Sequence, residues 1–176
     1  MQATRYRQLA RILHWLMALI VICMVPLGIA VNYLPWDGFQ DFLFNLHKSL
    51  GIVVLALVVI RLIYRLTHKP PALPSSVPRP QRLAAEAVHI CLYAILVAMP
   101  IIGWVGTNAY GEPMNVFWSV TLPAVADKNK ELSDVLWATH NVLGLALGAL
   151  ITLHAGAALA HRFVLRDEVL NRMWPP

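Results

Sequence analysis

The sequence predicts an all-α integral membrane protein: a four-helix bundle made by a single domain over residues 1–176. Hydrophobic residues make up 59 % of the chain and charged residues 13 %, whereas soluble domains are about half apolar and a quarter charged. Four apolar runs are each long enough to cross a bilayer, which takes about 20 residues of helix. The basic residues lie between these runs instead of forming one patch, which argues against nucleic-acid binding.

The apolar runs place the four predicted spans at about residues 12–33, 46–66, 83–107 and 135–163. Pro26 and Pro100 lie inside the first and third spans, where we expect kinks that neighbouring helices support. Cys23 and Cys91 also lie inside apolar runs, so we expect small buried hydrophobic residues and no disulfide. The first run is too long for the apolar core of a signal peptide and no small-residue cleavage site follows it, so we expect it to be retained.

Three connections join the predicted spans. Residues 34–45 are short and contain Pro35, Asp37 and Gly38. Residues 67–82 contain five prolines, which predicts an extended, non-helical loop. Residues 108–134 are longer and polar, and the aromatic pair at 117–118 indicates a segment that lies on the membrane face.

The distribution of Lys and Arg predicts the orientation in the membrane. Eleven of the fourteen basic residues fall at the N-terminus, around the 67–82 loop or at the C-terminus, and only Lys48, Lys128 and Lys130 fall on the other side. The positive-inside rule therefore places both termini in the cytoplasm. The three remaining lysines would form a weak positive surface outside, able to steer an anionic electron donor, although nearby acidic residues dilute it.

Two histidines on the fourth span carry the functional prediction, since an ionisable residue in a span is by default a functional hypothesis. His140 and His154 are fourteen residues apart, which is about 21 Å along a helix. Fourteen steps of 100° stop about 40° short of four turns, so the two side chains share a face. They are placed to hold two ligands, one near each membrane surface.

Each of these histidines has a predicted partner at its own depth. His14 lies near the cytoplasmic start of the first span, level with His154, and His47 opens the second span, level with His140. Two imidazoles on opposite sides of a haem fill both axial positions of its iron. The pairs predict two b haems, an inner one at His14 and His154 and an outer one at His47 and His140. Haems closed in this way suit electron transfer.

Other interpretations of these residues compete. Zinc is the alternative metal, but it takes four ligands that converge on one point, and these four histidines lie at two depths. A single membrane histidine is also often a packing residue. Gly51 and Gly144 lie one turn after His47 and His140; they either let a flat porphyrin approach the helix or serve close helix packing.

Three more residues have a functional interpretation near the cytoplasmic surface. His161 could deliver protons or hydrogen-bond to a quinone, or be an interfacial histidine beside Arg162. His89 could be a substitute ligand for the inner haem. Arg61 is either a positive-inside anchor or a partner of haem propionates, which Arg binds in a bidentate manner.

The sequence resembles the bacterial cytochrome b561 family, which is related to the cytochrome b subunit of nickel–iron hydrogenases. The matching segments cover essentially the whole chain: RILHWLMALIVI at 11–22, NLHKSLGIVVLALVVIRLIYRL at 45–66, AMPIIGW at 98–104, LWATHNVLGLALGALITLHAGAALAHRF at 136–163 and the closing RDEVLNRMWPP. The resemblance implies a four-helix bundle in the inner membrane that holds two b haems. It implies axial ligands at His14, His47, His140 and His154.

Members of that family are described as passing electrons from superoxide at the periplasmic face to ubiquinone near the cytoplasmic face. On this resemblance His161 and Arg162 would lie near the quinone, and the enzyme would be a superoxide:quinone oxidoreductase. The alternative is a membrane anchor and electron conduit for a partner redox protein or dehydrogenase. A third candidate is a histidine-lined metal transporter, which predicts a colourless protein where a dihaem protein would be red.

Overall fold

The computed structural model describes residues 5–35, 38–72 and 77–174. Its long helices are α1 (Gln8–Tyr33), α2 (Gly38–Thr67), α3 (Arg79–Tyr110) and α4 (Lys130–Phe163). Each helix contains one of the predicted spans and is long and apolar enough to cross a membrane. The all-α membrane bundle is therefore confirmed. Both α1 and α3 continue through their internal prolines.

All three predicted connections are shorter than expected, and the third runs only over residues 111–129. α2 begins at Gly38, so most of the 34–45 segment is helical. α3 begins at Arg79 with Pro80 in its first turn, where the missing proline N–H would have had no helical partner anyway. Apolar runs mark only the part of a helix inside the bilayer, and these helices extend beyond it. Residues 36–37 and 73–76 of these connections lie outside the described residues.

The connection between α3 and α4 forms an antiparallel hairpin of β1 (Met114–Val116) and β2 (Val120–Leu122). Phe117 and Trp118 form its tip, with φ of 47° and 57°. The Phe117 N–H donates to Oγ of the buried Ser49 at 2.7 Å. Trp118 stacks on Phe42 with ring centroids 5.0 Å apart. The hairpin is thus fastened to α2, and this side of the bundle is called the hairpin end below.

The helices pack in the order of the chain: α1 against α2, α2 against α3 and α3 against α4. Over the described residues the backbone of α4 stays away from those of α1 and α2, and side chains bridge the distance. Val21, Val54 and Leu147 meet there in a buried apolar cluster near the middle of the bundle. This cluster lies between the two levels at which the predicted histidine pairs are placed.

The outer surface of the helices is apolar over most of its length. Leu19, Ile63 and Leu145 are 64 %, 57 % and 78 % exposed, which suits lipid and would be unfavourable in water. Cys23 and Cys91 are free thiols on this surface, so the expectation that they are buried was wrong. In a bilayer the exposed face is apolar too, and an apolar run therefore does not indicate burial.

The C-terminal tail closes the other side of the bundle, called the termini end. Arg172 is only 6 % exposed and donates at 2.8 Å to the carbonyls of Pro71 and Ala72. Its own carbonyl accepts from the Tyr6 N–H at 3.1 Å. Trp15 Nε1 donates to the Met173 carbonyl at 2.7 Å. The tail thereby joins the N-terminus, α1 and the loop that leads to α3.

Candidate functional site

The hairpin end brings together the imidazoles of His47 on α2 and His140 on α4. Their ring centroids lie 6.1 Å apart and the ring planes cross at 69°. The Nδ1 atom of His47 is buried and has no hydrogen-bond partner within the described part of the chain, whereas the His140 ring lies within reach of the Met99 backbone. A buried polar nitrogen without a partner costs about 1–3 kcal/mol, so the His47 imidazole is unfavourable in this position unless a further group binds beside it.

The termini end brings together His14 on α1 and His154 on α4. Their centroids are again 6.1 Å apart, with the ring planes at 80°. An imidazole nitrogen binds a metal at about 2 Å and lies about 1 Å from its ring centre, so two axial imidazoles on one metal have centroids about 6 Å apart. Both histidine pairs have this spacing.

The surroundings of the pairs also fit a flat macrocycle. α4 carries one histidine of each pair, and it is the helix whose backbone stays away from α1 and α2. A Cβ built on Gly51, one turn after His47, meets no protein atom within 4 Å. Gly144 instead faces Met99 of α3 at 3.8 Å, which favours close helix packing at that glycine. The donor set and the geometry therefore fit two b haems, each between a pair of imidazoles.

Two further glycines lie against the rings at the hairpin end. A Cβ on Gly28 of α1 would be 3.1 Å from Cε1 of His47, and a Cβ on Gly103 of α3 would be 3.6 Å from Cε1 of His140. Each ring is therefore backed by a glycine on a helix other than its own. Sequence reasoning missed both, because a glycine inside an apolar run gives no sign of the side chain that packs on it.

We expect Gly28→Ala to weaken haem binding at the hairpin end. Carbon atoms in ordinary contact are about 3.5–4.0 Å apart. The added methyl would lie closer than that to the His47 ring, so the ring must turn or shift. The matched control is Gly156→Ala on α4, where a new Cβ meets nothing within 4 Å. Haem content and the Soret spectrum should change in the first variant only; equal spectra in both would show that Gly28 does not set the ring position.

A third imidazole lies at the termini end. His89 of α3 is 5.2 Å from His154 between ring centroids, with the planes at 70°. His89 is therefore close enough to His154 for its predicted role as a substitute ligand. At the hairpin end the further aromatic ring beside His140 is an indole and not an imidazole. It belongs to Trp137 of the same helix, and its ring centroid lies 6.2 Å from that of His140.

Arg61 of α2 lies beside the imidazoles of the termini end. Its Nε donates to the Tyr93 hydroxyl at 3.0 Å and its Nη1 donates to the Ala10 carbonyl at 2.8 Å. Its positive charge acts on His14 and His154. These two bonds use two of the five guanidinium donors, so the group is held in place beside the imidazoles of the termini end.

His161 lies in the last turn of α4 and contacts a residue of the tail. Its Nδ1 is 2.6 Å from Oδ2 of Asp167, and both side chains are mostly buried. Burial alone would raise the pKa of Asp167, but the Val169 N–H and the His161 imidazole hold that pKa below its usual value. Arg162, the other residue predicted near the quinone, is exposed. Sequence reasoning found His161 and missed its carboxylate partner.

Two of the three outer lysines lie near acidic side chains. Lys130 pairs with Asp134 at 2.6 Å, and the side chain of Lys128 lies across Gly111. Lys48 lies over the Phe44 ring at 4.8 Å and is close enough to Glu112 to interact with its charge. The dilution by acidic residues that the sequence indicated is therefore seen at two of the three lysines.

The fold defines a class: a multi-pass helical membrane protein with histidines at two levels of its bundle. The family model described as prokaryotic cytochrome b561 matches residues 5–176. The chain belongs to this family, and it is therefore a membrane electron-transfer protein that binds b-type haem. This confirms the resemblance drawn from the sequence segments.

Individual relatives agree with the family. "Cytochrome b561 homolog 2" of Escherichia coli (strain K12) is 37 % identical over 171 residues, which cover 96 % of this chain and 90 % of that protein. "Probable superoxide oxidase CybB" of Yersinia pestis is 32 % identical over 166 residues, covering 93 % and 92 %. "Cytochrome b561 homolog 1" of Escherichia coli (strain K12) is 29 % identical over 165 residues, covering 93 % of each.

Proposed function

We propose that the protein holds two b haems and passes electrons across the inner membrane, from superoxide at the periplasmic face to ubiquinone near the cytoplasmic face. The observation that carries the proposal is the equal 6.1 Å spacing of two histidine pairs at opposite ends of one bundle. The haems, when bound, supply reversible one-electron chemistry. The relative named as a probable superoxide oxidase supports the choice of donor.

Different residues of the protein would hold the haems at the two ends of the bundle. His47 and His140 would hold the outer haem and His14 and His154 the inner haem, with Arg61 beside the inner propionates. With two imidazoles holding each haem, superoxide would react by electron transfer without binding the metal. The termini end, which carries most of the basic residues, faces the cytoplasm in this proposal.

The overall reaction balances for electrons and protons. Two superoxide anions lose one electron each and become two O₂ molecules. One ubiquinone takes up these two electrons and two protons and becomes ubiquinol. His161, at the termini end, would exchange those protons with the cytoplasm.

The test is to mix purified, oxidised holoprotein with superoxide in a stopped-flow instrument and follow the reduced haem band. We expect rapid haem reduction that superoxide dismutase abolishes, followed by reoxidation when a short-chain ubiquinone is added. Haems that stay oxidised under superoxide but are reduced by a periplasmic redox protein would favour the second candidate, an electron conduit for a partner.

A further inference from the structure

The turn after α4 brings Asp167 back onto His161. Two N–H groups, of Val164 and Leu165, donate to the Ala160 carbonyl at 2.9 Å and end the helix. Arg166 then has φ of 54°, a left-handed conformation that is unfavourable by about 1–2 kcal/mol for a residue other than glycine. The Asp167 N–H donates to the His161 carbonyl at 3.0 Å. The chain thus adopts a strained turn, and this turn brings the side chains of Asp167 and His161 into contact.

Both oxygens of the Asp167 carboxylate are engaged. Oδ2 contacts His161 Nδ1 at 2.6 Å, and Oδ1 accepts from the Val169 N–H at 3.0 Å. An ionised carboxylate can only accept hydrogen bonds, so Nδ1 of His161 must carry the proton that it donates. The tautomer and the direction of the ring are then fixed by the bond at Nδ1. The other nitrogen, Nε2, is left for exchange of a proton with another group.

We infer that Asp167 is a positioning residue that fixes His161 as the proton donor to the quinone at the termini end. The inference rests on the proposed function. His161 in its protonated form gives the proton on Nε2 to a quinone oxygen: the N–H bond breaks, an O–H bond forms and the imidazole becomes neutral. It takes the next proton from water, and two such transfers match the two electrons that one quinone receives.

The variant Asp167→Asn tests this role, because the amide keeps the size of the side chain and removes its charge. In purified holoprotein that has been reduced beforehand, we expect haem reoxidation by decylubiquinone to slow by about 100-fold, the scale of positioned proton transfer. The fall should be in kcat, with a smaller change in KM. The haem spectrum and thermal stability should stay as in the wild type, which a merely structural role would not allow.

The matched control is Glu168→Gln, the same chemical change one residue further on. Glu168 hydrogen-bonds Asn171 at 2.7 Å and makes no contact with His161 among the described residues. The haems of the Glu168→Gln variant should be reoxidised by the quinone at the wild-type rate. The double variant with His161→Gln should be no slower than His161→Gln alone, because the two residues act as one unit.

The outcomes separate the inference from the proposed function. A wild-type protein whose haems are not oxidised by the quinone overturns the proposed function, and the role of Asp167 with it. A reactive wild type with an equally fast Asp167→Asn overturns the positioning role alone. The same conclusion follows if Glu168→Gln is as slow as Asp167→Asn, or if the effects of the two substitutions in the double variant simply add.

Discussion

Replacing His140 with alanine is expected to remove one haem and leave the other. Its partner His47 then faces no second imidazole at the hairpin end, while His14 and His154 keep their 6.1 Å spacing about four helical turns away. The variant should bind one haem per chain in a pyridine haemochrome assay. His154→Ala should give the same ratio by losing the haem of the termini end instead.

The control for these variants is His68→Ala. His68 stacks on Tyr64 at 4.1 Å and hydrogen-bonds Thr67 at 2.8 Å, outside both pairs. It should keep the full haem content. Full haem content in His140→Ala would contradict the assignment at the hairpin end. Full content in His154→Ala alone would indicate that His89, 5.2 Å from His154, replaces it.

Replacing Arg172 with methionine is expected to destabilise the termini end by about 2–3 kcal/mol, the scale of hydrogen bonds made by a buried charged group. The substitution removes both bonds to the Pro71 and Ala72 carbonyls. It also loosens the tail whose Met173 carbonyl holds Trp15, the neighbour of His14. The effect should therefore be larger on the inner haem than on the outer haem.

Thermal loss of the Soret band in the His140→Ala background isolates the haem of the termini end and measures this effect. Arg79→Met, a change at an exposed arginine in the first turn of α3, is the matched control and should behave as its parent. If Arg172→Met loses haem at the same temperature as this control, the tail does not stabilise the inner site.

The parts of the site that were predictable depend on regular helix geometry. A rise of 1.5 Å per residue converts sequence positions into depths, so His14 could be matched with His154 and His47 with His140 before any fold was known. The four spans could be predicted from the sequence just as directly, since only a bilayer explains apolar runs of that length. The helix ends were placed too far inward, because polar residues beyond the bilayer continue the helices.

The contacts that sequence reasoning missed depend on irregular backbone or on packing between helices. The hairpin turns at Phe117 and Trp118 with positive φ, where glycine or asparagine would be the usual signal. Asp167 reaches His161 through a left-handed Arg166, which no pattern indicates. Gly28 and Gly103 touch histidines of other helices, and such contacts appear only when the bundle is assembled.

The ratio of haem to protein in the purified wild type tests the central claim most directly. Two pairs of imidazoles at opposite ends of the bundle predict two b haems per chain, both low-spin because two imidazoles would complete the coordination of each iron. A ratio of one, or a five-coordinate high-spin haem in the intact protein, would contradict the claim that four histidines serve two haems.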